Sequence, residues 1–563
     1  MVVIDLDKEQ VIGKVESVDT ATVLIHVTDP NLLSSVQVNH LVIIRSSKVG
    51  QYLIGMVDKI VRKYSQSEDD DNILSVDVVK VTLIGTFMEK LGIEENVFRR
   101  TLQSVAEIDA DCFTMSPNTM SKFMNVISKS SALMNQTLII GKYTLNDSAE
   151  AFLDGNKFFQ RHAVITGSTG SGKSYTVAAI IEQLARLKSA NAILFDIHGE
   201  YKTIIDTGIK HYKIAAPGDA FSDGIMFLPY WLLTYDEMLS MLLDRSDNNA
   251  PNQAMMFSKI VIEEKGKYLK DNGLSEMETQ YTIDSPIPYS MDNLLKQLKA
   301  KDLEIVRGSS GRDKQGDFYG KLSRFIQRLE NKVADKRLNF MFCGEDELLE
   351  YGYMTKLCKQ LLNPSSRGGG VKIIDFSDVP SDILPLIVSL LARVIFSIQQ
   401  WVSREKIHPV ALFCDEAHLY VPENARQGVE AASLSSFERI AKEGRKYGVG
   451  LVIVTQRPSE VNRTVLSQAN NFIAMRLTNV DDQNVIKKLL PDNLGNYAEM
   501  LPILDIGEAL VVGDASLIPS RIAVKEPEHK PDSATIKFWD KWAEDTTNDC
   551  IGEAVEALRR QSR

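Results

Sequence analysis

The stretch Gly167-Ser168-Thr169-Gly170-Ser171-Gly172-Lys173-Ser174 decides the fold class of this chain. An apolar run, Ala163 to Thr166, precedes it, and a helical pattern from Tyr175 to Leu187 follows it. A strand, a glycine-rich loop and a helix in this order are the context of a phosphate-binding loop. The glycines let backbone N–H groups turn toward a phosphate, and the helix N-terminus adds the positive end of its dipole.

The residue types of this loop predict a site for ATP and Mg²⁺. Lys173 is placed to reach the β- and γ-phosphates, and the hydroxyl of Ser174 to ligate Mg²⁺. A chance glycine-rich turn is the alternative, and the complete G-x-x-x-x-G-K-S pattern argues against it. The residues predicted to contact the nucleotide are Ser168, Thr169, Gly170, Ser171, Gly172, Lys173 and Ser174.

The composition predicts a globular, cytoplasmic protein. Five scattered cysteines without C-x-x-C spacing fit a reducing compartment and offer no zinc site. The N-terminus lacks the pattern of a secretory signal, and the apolar stretch Ile383 to Ile398 is too short to span a bilayer. We therefore expect a buried helix there and no membrane partner. The net charge of −11 leaves only a local basic channel as a binding surface for nucleic acid.

The order of hydrophobic patterns predicts an α/β protein with a small β-barrel at its N-terminus. Short β-branched runs separated by turn residues come first, and buried strands alternating with helices follow. Polar amphipathic helices interrupt the second pattern. The predicted parts are a barrel at 1–90, a connecting segment at 91–158, a nucleotide-binding core at 159–233 and 364–525, a helical insertion at 234–363 and a C-terminal tail at 526–563.

Carboxylates follow two buried strands of the predicted core. The run Val410 to Glu416 ends in Asp415 and Glu416. Asp415 suits the role of holding Mg²⁺, and Glu416 that of polarising the water that attacks the γ-phosphate. Capping of a neighbouring helix is the alternative. Asp196 ends an earlier strand, and with His198 and Glu200 it is expected near the nucleotide or in a turn without chemistry.

Polar side chains after the next strand and helix complete the predicted site. Gln456 follows the strand Val449 to Val454 and is a candidate for sensing the γ-phosphate or orienting water, against simple strand capping. Arg445, at a helix end, can reach the nucleotide of a neighbouring subunit, and Arg439 is the reserve. A surface salt bridge is the alternative for both. The basic cluster at 210–213 is one candidate for a pore element, with a solvated turn as the other interpretation.

Taken together, these motifs resemble the HerA family, in the HerA/FtsK branch of P-loop ATPases. The resemblance implies a RecA-like P-loop ATPase core behind a barrel of the HAS type. It also implies a homohexameric ring that moves double-stranded DNA by ATP hydrolysis and works with a nuclease or other effector docked on the barrel. Arg161 matches an additional arginine of the family's active site. The matching blocks are Gly167 to Ser174, Phe195 to Tyr201, Asp415 to His418, Glu443 to Gly448, Thr455 to Ser459 and Gly507 to Ala509.

Two functions stay open at this point. One is a DNA translocase or helicase in DNA end processing or antiviral defence. The other is an ATP-bound ring scaffold that assembles and gates an effector, such as a nuclease or a sirtuin-like NADase. A transport ATPase is disfavoured, because no L-S-G-G-Q signature precedes Asp415. In the tail, Phe538, Trp539 and Trp542 are a rival docking site for a partner, or a helix that packs within the ring.

Overall fold

The computed structural model describes residues 3–67, 70–89, 96–102, 104–131, 137–144, 146–274, 276–307, 312–364, 370–425, 427–490, 492–533, 536–544 and 551–560. The chain divides into two compact units. The first comprises Met1–Gln183, Val452–Ser459 and Leu466–Lys530. The second comprises Leu184–Leu451, Glu460–Val465 and Pro531–Arg563.

The strands are mostly short and contain buried residues, whereas one hairpin near the N-terminus is long and the strands Ile305–Arg307 and Asp313–Gln315 have no buried residue. They are β1 (Val11–Val18), β2 (Thr22–Val27), β3 (Leu41–Arg45), β4 (Gln51–Ser67), β5 (Asp70–Met88), β6 (Val97–Arg99), β7 (Asp111–Thr114), β8 (Thr137–Tyr143), β9 (Asn146–Asp154), β10 (Ala163–Thr166), β11 (Ala192–Asp196), β12 (Ile209–Ile214), β13 (Ile225–Met226), β14 (Ile305–Arg307), β15 (Asp313–Gln315), β16 (Val371–Asp375), β17 (Val410–Cys414), β18 (Val449–Thr455), β19 (Asn471–Met475), β20 (Glu508–Gly513) and β21 (Ser520–Val524).

The helices alternate with the core strands and are concentrated in the predicted insertion. They are α1 (Pro117–Ser131), α2 (Gly155–Gln160), α3 (Lys173–Ala185), α4 (Tyr235–Leu242), α5 (Ala250–Asp271), α6 (Met291–Asp302), α7 (Ser323–Ala334), α8 (Asn339–Phe342), α9 (Tyr353–Leu362), α10 (Leu384–Trp401), α11 (Val429–Glu443), α12 (Arg463–Ser467), α13 (Val480–Leu489), α14 (Phe538–Ala543) and α15 (Ile551–Arg560).

The first unit begins with a closed antiparallel barrel, which confirms the predicted fold class at this end of the chain. The strand order is β2-β1-β7-β3-β4-β5, and β2 also pairs with β5, so that six strands form a ring. Alternate residues point inward, as the period of a strand requires. They form an aliphatic core that includes Val15, Val23, Ile25, Leu53 and Val81.

The barrel sheet continues past residue 90, where the sequence placed its end. Strand β7 lies between β1 and β3, and Phe113 pairs with Val11 on one side and Ile43 on the other. The ring cannot close without this strand. The predicted connecting segment therefore contributes β6 and β7 to the barrel sheet, and β8 and β9 to the sheet of the core.

The rest of the first unit carries part of an α/β sheet in the order β18-β10-β19-β20-β21-β8-β9. Strand β10 is buried along its whole length and runs parallel to β18 and β19. The strands β20, β21, β8 and β9 continue the sheet in antiparallel fashion. Because β10 and β18 are parallel, Thr166 and Thr455 end side by side, and the segments that follow them share one edge.

The second unit carries parallel strands in the order β13-β12-β16-β11-β17. Helix α10 packs in its interior and meets the prediction of a buried helix. By length and hydropathy α10 could cross a membrane, and 72% of its apolar window is buried inside the protein. Its Arg393 binds Glu237 of α4 with two hydrogen bonds of 2.7 and 2.8 Å, which joins the helical insertion to the core of this unit.

Candidate functional site

The glycine-rich loop joins the end of β10 to the start of α3, as a phosphate-binding loop requires. Gly170 and Gly172 have φ values of +75° and +108°, which side chains other than glycine rarely adopt. A Cβ on Gly172 would lie 2.8 Å from the Met475 Cε atom, so this methionine side chain would have to move to make room for it. The loop is fixed at its start, since the Ser168 backbone N–H donates to the Arg476 carbonyl at 2.8 Å.

The predicted nucleotide contacts are arranged around the N-terminus of α3. Lys173 is the first residue of this helix and is mostly buried, while Ser174 is half-buried and Thr169 is exposed at the tip of the loop. A helix N-terminus attracts anions through its unpaired N–H groups and its dipole. The local geometry thus offers a binding place for the phosphates of a nucleotide.

Gln456 lies beside the phosphate loop, on the β18 side of β10. The hydroxyl of Thr169 donates to its Oε1 atom at 2.5 Å. On the opposite side of β10, the Gly507 backbone N–H donates to the Ser171 carbonyl at 3.0 Å. The loop is therefore held between the segment after β18 and the segment before β20. The sequence predicted a role for Gln456 at the nucleotide, and it named Gly507 only as part of a block that matches the family.

Arg161 lies at the end of β10 that is remote from the phosphate loop. It directly precedes this strand, whereas the loop directly follows it, and its guanidinium is ion-paired with Asp514. The Arg100 guanidinium is 3.7 Å from the other Asp514 oxygen. The structure therefore does not bring Arg161 together with the phosphate loop of the same chain.

In the second unit, acidic side chains lie at the carboxyl ends of three adjacent strands. Asp196 ends β11 and pairs in register with Asp375, the last residue of β16. Asp415 and Glu416 directly follow β17, the other neighbour of β11. Asp196, Asp415 and Glu416 are all almost fully buried. The sequence pointed to these three, and Asp375 carried the same signal of an acid at the end of an apolar strand.

Burial, with a smaller effect of the neighbouring carboxylates Asp415 and Asp375, raises the pKa of Asp196 to about 7. Two hydrogen bonds oppose this shift, because the backbone N–H groups of Glu200 and Tyr201 each donate to the Asp196 carboxylate at 3.0 Å. Asp196 thus holds the turn after β11. The side chain of His198, in the same turn, is exposed.

Glu416 occupies an unusual backbone conformation for a residue with a side chain. Its φ is +45°, in the left-handed region. Such conformations cost about 1–3 kcal/mol and concentrate at functional sites, because surrounding structure must enforce them. Here Tyr420 donates to the Asp415 carbonyl at 2.8 Å, and the His418 Nδ1 atom lies 3.3 Å from Glu416 Oε2. The sequence did not assign a role to His418.

The two candidate arginines differ in their surroundings. Arg439 lies 4.0 Å from Glu443, donates to Gln400 at 3.3 Å and stacks over the ring of Phe396. Arg445 is exposed just after α11, and within the described part of the chain it forms no ion pair. Of the two, Arg445 is the one whose charge is available to another molecule.

The basic cluster at 210–213 is a strand rather than a loop or turn. It lies within β12, which pairs with β13 and β16. Its lysines are already matched by carboxylates, since Lys210 binds Asp223 at 3.0 Å and Lys213 binds Asp378 at 2.9 Å. This arrangement does not suit a mobile pore element.

A glycine loop between a buried strand and a helix, with acids at the ends of neighbouring strands of a parallel sheet, defines a P-loop ATPase. The sequence comparisons then identify the family. A family model described as the central domain of the helicase HerA matches residues 138–395, and a model described as HerA-like C-terminal matches residues 390–530. Together they cover well over half of the chain, which belongs to the HerA family.

Individual relatives are similar over most of their length. The chain is 26% identical to a probable helicase of Methanocaldococcus jannaschii over 74% of this chain and 72% of the relative. It is 27% identical to the DNA double-strand break repair helicase HerA of Sulfurisphaera tokodaii over 68% and 69%. The corresponding helicase of Pyrococcus furiosus is 23% identical over 69% and 70%.

Solved structures with a similar arrangement are more distant. The bacterial conjugative coupling protein TrwB has 12% identity and a TM-score of 0.45, over 72% of this chain and 92% of that one. VirB4 of Thermoanaerobacter pseudethanolicus has 14% identity and a TM-score of 0.45, over 70% and 98%.

Proposed function

We propose that this chain is an ATP-driven double-stranded DNA translocase or helicase that acts as a homohexameric ring. In this proposal the ring works with a nuclease or another effector, in DNA end processing or in antiviral defence. The proposal is supported by a phosphate loop at the start of α3, in a chain of a family whose relatives are named DNA double-strand break repair helicases.

The loop and helix of the first unit would bind the triphosphate. Lys173 would neutralise charge on the β- and γ-phosphates, where its ammonium replaces water. The Ser174 hydroxyl and the Asp415 carboxylate are hard oxygen donors of the type that Mg²⁺ selects. Bound Mg²⁺ would supply charge neutralisation at the phosphates. Among the described residues, no three acidic, histidine or cysteine side chains are arranged so that they could hold a metal ion.

Glu416 would polarise the attacking water, and Gln456 would orient it or sense the γ-phosphate. The burial of Glu416 favours this role, since a buried carboxylate can hold a water molecule away from bulk solvent. Arg445 would act on the nucleotide of a neighbouring subunit, because its exposed guanidinium is not consumed by an ion pair in its own described surroundings.

The effector would dock on the N-terminal barrel. Exposed strand edges of a sheet can accept a strand from a partner protein. Closure of the ring through β2 and β5 removes the edges of the barrel itself. What extends beyond the ring is the distal part of the β4–β5 hairpin, where Lys63 pairs with Val76 and, in the described residues, no third strand pairs with this part. Strand addition by a partner is thus expected on this hairpin.

The decisive experiment measures ATP hydrolysis by the purified chain with and without double-stranded DNA. We expect stimulation by DNA of any sequence, and DNA binding that weakens steeply with salt, because phosphates rather than base edges are read. Glu416→Gln should keep ATP binding and lose at least about 100-fold in turnover, and Lys173→Ala should lose turnover through weakened nucleotide binding.

Three results would contradict this proposal. If Glu416→Gln hydrolysed ATP at the parental rate, Glu416 would not be the residue that polarises the attacking water. Protection of one defined DNA sequence would argue against a translocase. Tight ATP binding without DNA binding or DNA stimulation would favour the ring scaffold that assembles and gates an effector.

A further inference from the structure

The loop before β20, residues 503–507, lies directly against the phosphate loop. Besides the 3.0 Å bond between Gly507 N–H and the Ser171 carbonyl, an added Cβ on Gly172 would lie only 3.5 Å from the Gly507 Cα atom. Gly507 has a φ of +80°, and its carbonyl accepts from the Val524 N–H at 2.7 Å. The 503–507 loop is therefore a fixed wall of the nucleotide-binding place.

The order of the strands tells which end of a nucleotide this wall faces. Strand β10 lies between β18 and β19, and β20 lies beyond β19. Gln456, the candidate γ-phosphate residue, follows β18 and contacts the loop tip from that side. Because β20 is antiparallel to β19, it begins at the same edge of the sheet, on the other side of the phosphate loop. A triphosphate whose γ end lies on the β18 side directs its base toward the 503–507 loop.

Two apolar side chains project from this wall into solvent. Ile503 is 72% exposed and Ile506 is 65% exposed, whereas Leu504 between them is 2% exposed and anchors the loop. The loop is also braced by polar contacts, since the Asp505 N–H donates to Glu508 at 2.9 Å and Arg521 binds the same carboxylate at 2.5 Å. Exposed aliphatic side chains on a braced loop beside a ligand site are typical of a binding surface.

We propose that Ile503 and Ile506 form the platform on which the adenine ring of ATP packs. The inference rests on the proposed ATPase function and adds the residues that bind the base. The flat faces of adenine are apolar, and aliphatic side chains cover them without competing for hydrogen bonds. The triphosphate and the base are then held by different elements, the glycine loop and the 503–507 loop.

The test compares the binding of MgATP with that of magnesium tripolyphosphate, which has no base or ribose. The variants are Ile506→Asn and the double variant Ile503→Asn with Ile506→Asn, in the full chain, so that no charge is added beside the phosphates. We expect about tenfold weaker binding of MgATP and unchanged binding of tripolyphosphate, because only the apolar contact with the base is lost. Ile108→Asn is the matched control, since Ile108 is 58% exposed in the barrel of the same unit.

The outcomes separate this inference from the function on which it rests. Equal loss of both ligands in the Ile506 variant, or no loss of either, overturns the platform. Lys173→Ala should weaken both ligands, which verifies that tripolyphosphate occupies the phosphate loop. If the parent chain binds neither ligand, the ATPase proposal itself fails, and the isoleucines have no base to contact.

Discussion

Replacing Asp196 with asparagine should change the pH dependence of stability in a defined direction. The carboxyl is 1% exposed, and burial together with Asp415 and Asp375 raises its pKa to about 7. In the unfolded chain the same group titrates near pH 4. Between these values the folded protein keeps a proton that the unfolded chain has lost. Stability therefore falls as the pH rises through this window, because the unfolded state binds fewer protons.

The magnitude follows from the width of the window. Each pH unit costs about 1.4 kcal/mol while the folded group is protonated and the unfolded group is ionised. Between pH 5 and the folded pKa the parent thus loses about 2 to 3 kcal/mol through Asp196. The asparagine side chain introduced by Asp196→Asn cannot ionise. The Asp196 carboxylate accepts from the backbone N–H groups of Glu200 and Tyr201, and the asparagine carbonyl oxygen can still accept from one of them. The Asp196→Asn variant therefore does not lose this part of its free energy of unfolding as the pH rises.

The assay is urea-induced unfolding of parent and variant, measured from pH 5 to pH 8. Asp196→Asn should gain about 2 to 3 kcal/mol relative to the parent over this range, whatever its difference at pH 5. Asp271→Asn, at an exposed position of the same unit, is the control and should show a constant difference. A constant difference for Asp196→Asn as well would mean that Asp196 is ionised throughout, and the argument from burial would fail.

Two further predictions concern assembly. Arg445→Ala should still form rings and bind ATP but hydrolyse it poorly. Mixing it with Glu416→Gln subunits should restore part of the ATPase rate, and rings that are shown to be mixed yet inactive would refute action in trans. Arg439→Ala is the parallel variant. Removing the barrel should abolish capture of the effector in a pull-down and leave some ATPase activity, and the deletion must extend past β7 rather than stop at residue 90. Removing the tail from about Lys530 should weaken the ring instead. Capture of the effector by the chain without the barrel would refute docking on the barrel.

The sequence predicted those parts of the fold that depend on local patterns. The phosphate loop is defined by eight consecutive residues, and the strands around it are continuous apolar runs, as buried parallel strands are. Strand β11 runs over the residues that the pattern indicated, and α10 is the buried helix that its composition suggested. Such features can be recognised without knowing which segments, distant in sequence, pack against them.

Features that depend on distant partners were not predictable from one sequence. Strand β7 has four residues and no clear alternation, and only the gap between β1 and β3 makes it a strand of the barrel. The 503–507 loop reads as an ordinary turn until β20 places it against the glycine loop. Lys210 and Lys213 looked like a basic surface, because the carboxylates that pair with them come from other segments.

The pairing of β10 also determines when the nucleotide site can form during synthesis. The sheet neighbours of this strand are β18 and β19, and Ala163 pairs with Val452 and Asn471. At about 5–20 residues per second, a ribosome needs roughly 15–60 s to make the chain between these partners. During that interval the apolar strand and the apolar face of α3 have no sheet to cover them. The growing chain therefore needs protection from aggregation during this interval, and it acquires a place for ATP only after β18 and β19 have been made.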